Sequence, residues 1–265
     1  MWDFILPFFG FLIGIIAAMT GVGGGVFYVP LLTLVYGFVP SHAVGTSLFV
    51  IIFGALGATV GYARQKRIFF KTGLLVAAAT IPGSVLGVFL TSVLSGAVLG
   101  LVFGVFLIIV ALRMIFVGVS FRRKKTSNEK REAKLVGSEH ELFLNKRRLA
   151  VGVGLSFFGG LASGLLGIGG GALLVPIMAL VILMPIHVVV ATSMFAMFGT
   201  AISGAVQHYT LGNVDLSYGL LLAVGAFFGT QVGAWLCKKV SGENLQRVFA
   251  VLLIVASIQM IMKFI

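Results

Sequence analysis

The sequence GVGGGVFYVP at residues 21–30 interrupts a long hydrophobic stretch with four glycines, and it recurs as GIGGGALLVP at residues 167–176. The offset between the two copies is 146 residues, and in this register 14 of the 40 positions from residue 21 to residue 60 are identical. A composition rich in Gly, Val and Leu does not give so many matches at one fixed offset by chance. Such self-similarity predicts two copies of one structural unit.

The composition indicates a membrane protein. Hydrophobic residues make up 59% of the 265 residues and charged residues 10%, with a mean hydropathy of +1.15, whereas soluble domains carry about 25% charged residues. The apolar stretches lack the polar–apolar alternation of barrel strands, so we expect an all-α integral membrane protein. The predicted spans are residues 4–19 with 26–38, 42–62, 72–93, 97–119, 149–164 with 172–184, 187–208, 217–236 and 245–264.

The positive charge is concentrated between the two copies. Ten of the 19 Lys and Arg residues lie between Arg122 and Arg148, which predicts a first repeat over 1–119, a basic linker over 120–148 and a second repeat over 149–265. Basic loops of membrane proteins face the cytoplasm, and a charged segment with little to bury is expected to be solvated. Anionic lipid headgroups are an alternative partner for it, whereas this charge distribution argues against nucleic acid.

Residues 4–38 decide the topology. As one straight helix they would measure about 52 Å, against a hydrocarbon core of about 30 Å, so the glycines divide them into two short helices. If these form a hairpin, the second copy is inverted; if they continue as one broken span, the copies are parallel. The hairpin places the loop 63–71, the linker and the loop with Lys238, Lys239 and Arg247 on one side, as the positive-inside rule favours, and only Lys263 lies opposite. We therefore expect two inverted-topology repeats, each a glycine-broken helical hairpin followed by three transmembrane helices.

The acidic residues argue against several functions, because none lies well inside an apolar segment. A carboxylate site for sodium or protons is therefore not expected. No catalytic motif is visible, and the single cysteine, Cys237, excludes an internal disulfide or a cysteine-rich metal site. We predict no enzyme activity and no cofactor. The acidic residues are Asp3, Glu129, Glu132, Glu139, Glu141, Asp215 and Glu243.

The glycine breaks predict an anion site. A helix that begins at a glycine break exposes unpaired N–H groups and the positive end of its dipole, and glycine allows a ligand to approach the backbone. A Thr-Ser pair follows each break and offers neutral donors. The predicted substrate-binding residues are Gly23, Gly24, Gly25, Thr46, Ser47, Gly169, Gly170, Gly171, Thr192 and Ser193. The alternatives are that the glycines serve helix packing and that the hydroxyls bond backbone carbonyls.

Other residues carry weaker predictions. Pro30 and Pro176 are expected to kink the second helix of each hairpin. The histidines near the membrane are expected at helix ends, in interfacial or capping roles, with proton coupling as the alternative; they are His42, His187 and His208. Close helix packing is the expected role of Gly83, Gly87, Gly229 and Gly233.

The twin motifs, each followed sixteen residues after its proline by Thr-Ser, resemble the sulfite exporter TauE/SafE family over nearly the whole chain apart from the linker. The resemblance implies a multi-pass permease of the prokaryotic plasma membrane for small sulfur-containing anions, such as sulfite or organosulfonates. The long basic linker departs from the family pattern. A passive anion channel and a non-transporting scaffold acting through the linker are alternatives, and a homodimer is a further expectation.

Overall fold

The computed structural model describes the backbone of residues 3–112, 146–237 and 243–264, and the side chains of residues 4–112, 146–237 and 254–264. Within these ranges the regular structure is entirely helical. The helices are α1 (Leu6–Thr20), α2 (Gly25–Val35), α3 (Pro40–Arg64), α4 (Phe70–Val93), α5 (Gly96–Leu112), α6 (Lys146–Leu166), α7 (Gly171–Val181), α8 (Ile186–Thr210), α9 (Leu216–Leu236) and α10 (Glu243–Phe264).

Five helices, α3, α4, α6, α8 and α9, are long and apolar enough to cross a membrane. They confirm the prediction of an all-helical membrane protein, and they match the predicted spans. The end of the predicted span 97–119 and the linker up to residue 145 lie outside the described residues. Residues 146–148, which the sequence assigned to the linker, form the first turn of α6.

Each glycine break is a tight turn between two helices. Helix α1 ends where Gly21 adopts a left-handed conformation, with φ 73°, and α2 begins after Gly24, with φ 82°. Gly167 and Gly170 repeat this geometry before α7, with φ 70° and 83°. A side chain at these φ values is strained, which is the physical reason for glycine at both ends of each turn.

Prolines change the second helix of each hairpin. After Pro30 the chain continues as a π-helix over Leu31–Val35, and after Pro176 as a π-helix over Ile177–Val181. Proline has no N–H to donate, and its ring displaces the carbonyl four residues earlier, so the next turn widens. The predicted kinks therefore take the form of π segments.

The helices pack in pairs that repeat between the halves. Helix α1 lies along α9 just as α6 lies along α4, and α3 lies along α9 just as α8 lies along α4. Glycines permit these close approaches: a Cβ on Gly83 would lie 2.2 Å from the Phe157 carbonyl oxygen, and a Cβ on Gly229 would lie 2.1 Å from that of Phe11. Gly87 and Gly233 make similar contacts, which confirms the predicted packing role.

The contacts also give the helix directions. Gly83 and Gly87 face Phe157 and Leu161 in ascending order, so α4 and α6 are parallel. By the same criterion α1 and α3 are parallel to α9, and α8 is parallel to α4. Helices α3 and α8 meet at the centre in the opposite sense, with Gly45 beside His208 and Leu48 beside Gly204. These two helices correspond at the 146-residue offset, and they run antiparallel.

Candidate functional site at the glycine breaks

The two glycine breaks meet in the interior of the protein. A Cβ built on Gly25 would lie 2.1 Å from the Gly167 carbonyl oxygen, and one on Gly171 would lie 2.4 Å from that of Gly21. Residues 21–25 and 167–171 are buried throughout. We call this meeting of the two breaks the tip contact, and only glycine is compatible with its backbone separations.

The serines of the Thr-Ser pairs bind the tip contact. The Ser47 hydroxyl donates to the Gly167 carbonyl at 2.7 Å, and the Ser193 hydroxyl donates to the Gly21 carbonyl at 3.1 Å. Ser193 also lies 2.9 Å from the Val190 carbonyl oxygen of its own helix. Each serine therefore holds the break of the opposite half, and both side chains are fully buried.

The threonines lie beside these serines but bind elsewhere. The backbone N–H of Asp215 donates to Thr46 Oγ1 at 3.0 Å, and that of Phe69 donates to Thr192 Oγ1 at 3.1 Å. Asp215 and Phe69 immediately precede α9 and α4. The structure thus joins the predicted glycines and serines in one place, while the threonine hydroxyls fix the beginnings of two helices.

Each break ends in the first turn of a helix. In α2, Phe27 and Tyr28 donate the first backbone hydrogen bonds, both to the Gly24 carbonyl. Leu173 and Leu174 donate to the Gly170 carbonyl in the same way at the start of α7. Because the earliest N–H groups of a helix have no intrahelical acceptor, they carry partial positive charge. Two such helix starts face the tip contact.

Met197 is a residue of this site that the sequence reasoning missed. Its sulfur would lie 2.7 Å from a Cβ on Gly23 and 2.7 Å from one on Gly171, so it touches the breaks of both halves. Ile51, its counterpart at the 146-residue offset, contacts Gly169. The 146-residue offset could have indicated Met197, because it pairs Met197 with Ile51 and the two side chains lie where α3 and α8 cross.

The three histidines occupy different environments. His42 and His187 are exposed near the beginnings of α3 and α8, in keeping with the interfacial prediction. His208 differs, because it is fully buried, with its Nε2 3.2 Å from the Gly164 carbonyl oxygen. At the equivalent position the Tyr62 hydroxyl donates to the Ala18 carbonyl at 2.7 Å. His208 thus occupies the position that Tyr62 has in the first half. Within the described ranges, no group of three or more His, Cys, Asp or Glu side chains could hold a metal ion.

A partly polar cavity of about 290 Å³ opens at one end of α8. Ser41, Thr91 and Asn213 contribute to its lining. The Thr91 hydroxyl donates to the same Gly164 carbonyl, at 3.3 Å, and Asn213 Nδ2 lies 3.4 Å from His208 Nδ1. The cavity therefore ends at the hydrogen-bonded group around His208, at one end of α8.

Comparison with known proteins identifies the family. The family model described as sulfite exporter TauE/SafE matches residues 6–260, which include both breaks and both Thr-Ser pairs. The chain belongs to the TauE/SafE family. The probable membrane transporter protein YunE of Bacillus subtilis (strain 168) is 32% identical over 268 residues, covering 97% of this chain and 96% of its own length.

Further relatives are also described as probable membrane transporter proteins. A probable membrane transporter protein of Methanocaldococcus jannaschii is 30% identical over 257 residues, covering 91% of this chain and 89% of its own length. A third relative, the probable membrane transporter protein YjnA of Bacillus subtilis (strain 168), is 28% identical over 258 residues, covering 95% of this chain and 97% of its own length. No solved structure matches the chain. The family and these relatives indicate a membrane transporter and not an enzyme.

Proposed function

We propose that this TauE/SafE member is a secondary permease for small sulfur-containing anions, such as sulfite or organosulfonates, and that the anion binds between the two glycine breaks. The tip contact carries this proposal. At each of its two ends it joins a helix start to a serine hydroxyl in the buried interior, and none of the residues that form it is acidic. Such a place favours an anion, because backbone N–H groups and hydroxyls are donors.

Binding requires the tips to separate. The breaks are in backbone contact, so an anion enters only when Gly25 moves away from Gly167 and Gly171 away from Gly21. The serine hydroxyls then exchange a carbonyl acceptor for the anion, so no donor is left without a partner. Neutral donors bind an anion more weakly than a buried cation does, which also favours its release.

The proposed topology is an inverted repeat in the plasma membrane. The antiparallel run of α3 and α8 supports inversion. Because α4 and α6 are parallel, they begin at the same end, so the loop 65–69 before α4 and the linker before α6 share one side. We assign this side to the cytoplasm, since both segments are basic. Alternating access would then move one half against the other around the tip contact.

Radiolabelled sulfite and methanesulfonate uptake into liposomes tests this function, with pH and sodium gradients imposed separately. We expect accumulation against the anion gradient when one of these ion gradients is imposed. A flux that never accumulates under any gradient supports the channel, and reconstituted protein that moves none of these anions overturns the permease.

The scaffold alternative is tested by two variants in the same assay. Deletion of residues 122–145, which spares the first turn of α6, is expected to leave the flux largely intact, since residues 21–25 and 167–171 form the tip contact. Gly24→Leu and Gly170→Leu are expected to abolish it, because both positions have positive φ. If instead the linker deletion abolishes the protein's function in cells and the two glycine variants do not, the scaffold is favoured.

A further inference from the structure

A second polar cluster lies at the cytoplasmic end of α3 and α9. The Tyr62 hydroxyl and the Cys237 thiol are within hydrogen-bonding reach of each other, and the charge of Arg67 acts on both. Burial raises the pKa of the Cys237 thiol, while Tyr62 and Arg67 act in the opposite direction. We call Tyr62, Arg67 and Cys237 the cytoplasmic cluster.

The guanidinium of Arg67 lacks a partner in its buried part. Its Nη1 is inaccessible to solvent and makes no hydrogen bond within the described part of the chain. Gln65 lies in the same loop; its Nε2 donates to the Ala234 carbonyl at 3.0 Å, whereas its Oε1 is also buried and unpaired. A buried N–H of a charged group without an acceptor is costly, so an acceptor that is not part of the fold would stabilise this loop.

The cluster adjoins the tip contact. Tyr62 donates to the Ala18 carbonyl at 2.7 Å, and Ala18 precedes Gly21 by less than one helical turn. On the proposed route, an anion that reaches the tips from the cytoplasm along this end of α1 would pass the Tyr62 side chain. A guanidinium offers paired N–H donors that fit the oxygens of an oxyanion.

The repeat shows that the charge is specific to this side. At the 146-residue offset, the counterparts of Tyr62, Arg67 and Cys237 are His208, Asn213 and Thr91, which form the group beside the polar cavity. That group has no arginine. A charge needed only to anchor a cytoplasmic loop would be exposed, as Lys66 is, whereas Arg67 Nη1 is buried.

We propose that Arg67 is the residue that recognises the oxyanion at the cytoplasmic mouth, with the Tyr62 hydroxyl and the Cys237 thiol beside it. The identity of the anion as a small sulfur oxyanion rests on the proposed function. The site itself is distinct from the tip contact, and it binds the anion in the state in which the tips are closed.

Arg67→Gln tests the site by sulfite flux from the cytoplasmic side. We expect the KM to rise about tenfold or more, because a charge-assisted hydrogen bond is lost, and Arg67→Lys to recover part of the loss. Lys66→Gln is the matched control, since it removes the same charge from the adjacent, exposed position and should leave KM nearly unchanged. Equal effects of both variants, or an unchanged KM in Arg67→Gln, overturn the proposal in favour of a diffuse positive surface or a bond to Gln65.

Cys237, the only cysteine, provides a second readout that does not need transport. Its thiolate attacks a methanethiosulfonate reagent, forms a mixed disulfide and releases methanesulfinate. The measured quantity is the ratio of two labelling rates, that of the anionic 2-sulfonatoethyl reagent divided by that of the cationic 2-(trimethylammonio)ethyl reagent. We expect this ratio to be about tenfold higher in the wild type than in Arg67→Gln. Methanesulfonate should slow labelling in the wild type alone.

The two readouts separate the two proposals. An unchanged reagent ratio in Arg67→Gln, with no protection by methanesulfonate, overturns the anion site even if the wild type transports sulfite. A wild type that transports nothing, yet shows the charge-selective and protected labelling, overturns the permease and leaves the anion site standing.

Discussion

The two halves of the molecule share their backbone contacts and differ in the side chains at the membrane ends of α3 and α8. In both halves a serine binds the opposite break, and a threonine binds the residue before a helix. At the end that we assign to the cytoplasm, Tyr62, Arg67 and Cys237 form a cluster with one fixed charge. At the other end His208, Asn213 and Thr91 occupy the equivalent positions without one.

This difference separates the contacts that stabilise the fold from the side chains that make its two ends chemically different. Contacts that are kept in both halves define the centre, where we propose that both halves bind the same anion. Side chains that differ lie near opposite ends of α3 and α8, where we propose that the routes to the two sides of the membrane begin. A substitution in one copy of a contact, compared with the same substitution in its counterpart, distinguishes the two kinds of contact.

Gly25→Ala attacks the centre and is expected to have the largest effect. Its Cβ would lie 2.1 Å from the Gly167 carbonyl oxygen, so the tips cannot close. We expect sulfite flux to fall to the level of empty liposomes and the free energy of unfolding to fall by about 2 kcal/mol. Gly171→Ala should have the same effect, because its Cβ would lie 2.4 Å from the Gly21 carbonyl oxygen.

The matched control for these variants is Gly154→Ala in α6, where a Cβ meets nothing within 4 Å. It should transport normally and unfold no more readily than the wild type, since alanine is the better helix former. Normal flux in Gly25→Ala would remove the tip contact from the mechanism.

The serines are expected to differ in size of effect. Ser47 makes one short bond, 2.7 Å to the Gly167 carbonyl, whereas Ser193 divides its bonding between the Gly21 and Val190 carbonyls. Ser47→Ala should therefore lower the free energy of unfolding by about 1–2 kcal/mol, and Ser193→Ala by less. Thermal unfolding in detergent measures both, and a larger loss in Ser193→Ala would contradict the bond assignment.

The smallest expected effect concerns two equivalent turns. Gly37 and Leu183 correspond at the repeat offset and both have left-handed backbones, with φ 73° and 63°. Gly37→Ala meets no atom within 4 Å, so it should cost only the conformational strain, about 1 kcal/mol. Leu183→Gly relieves that strain and should change the stability by less than about 1 kcal/mol. A Leu183→Gly variant less stable than Gly37→Ala would show that Leu183 packs against something essential.

The sequence predicted the parts that depend on local spacing. The five long spans and the glycine turns follow from hydrophobic length and from the conformational freedom of glycine, and the described part of the structure contains them. The five-residue π segments were not foreseen in that form, although Pro30 and Pro176 marked their positions.

Contacts between the halves could not be predicted in the same way. Nothing local to Ser47 indicates that its acceptor is Gly167, and Thr46 beside it binds a different element, the residue before α9. His208 was expected at an interface because it lies near the end of a helix, yet it is buried against Gly164. Packing of one half on the other determines these contacts, and a single-residue pattern does not contain them.

Sulfite binding measured by thermal shift in detergent tests the central claim most directly, with the wild type beside a Ser47→Ala/Ser193→Ala double variant. At a sulfite concentration about 100 times the Kd, binding to the folded state should stabilise the wild type by about 2.7 kcal/mol. The account predicts a clear upward shift of the wild-type Tm and little or none in the double variant, whose unliganded Tm is only moderately lower. An equal shift in both proteins would contradict an anion site at the tip contact.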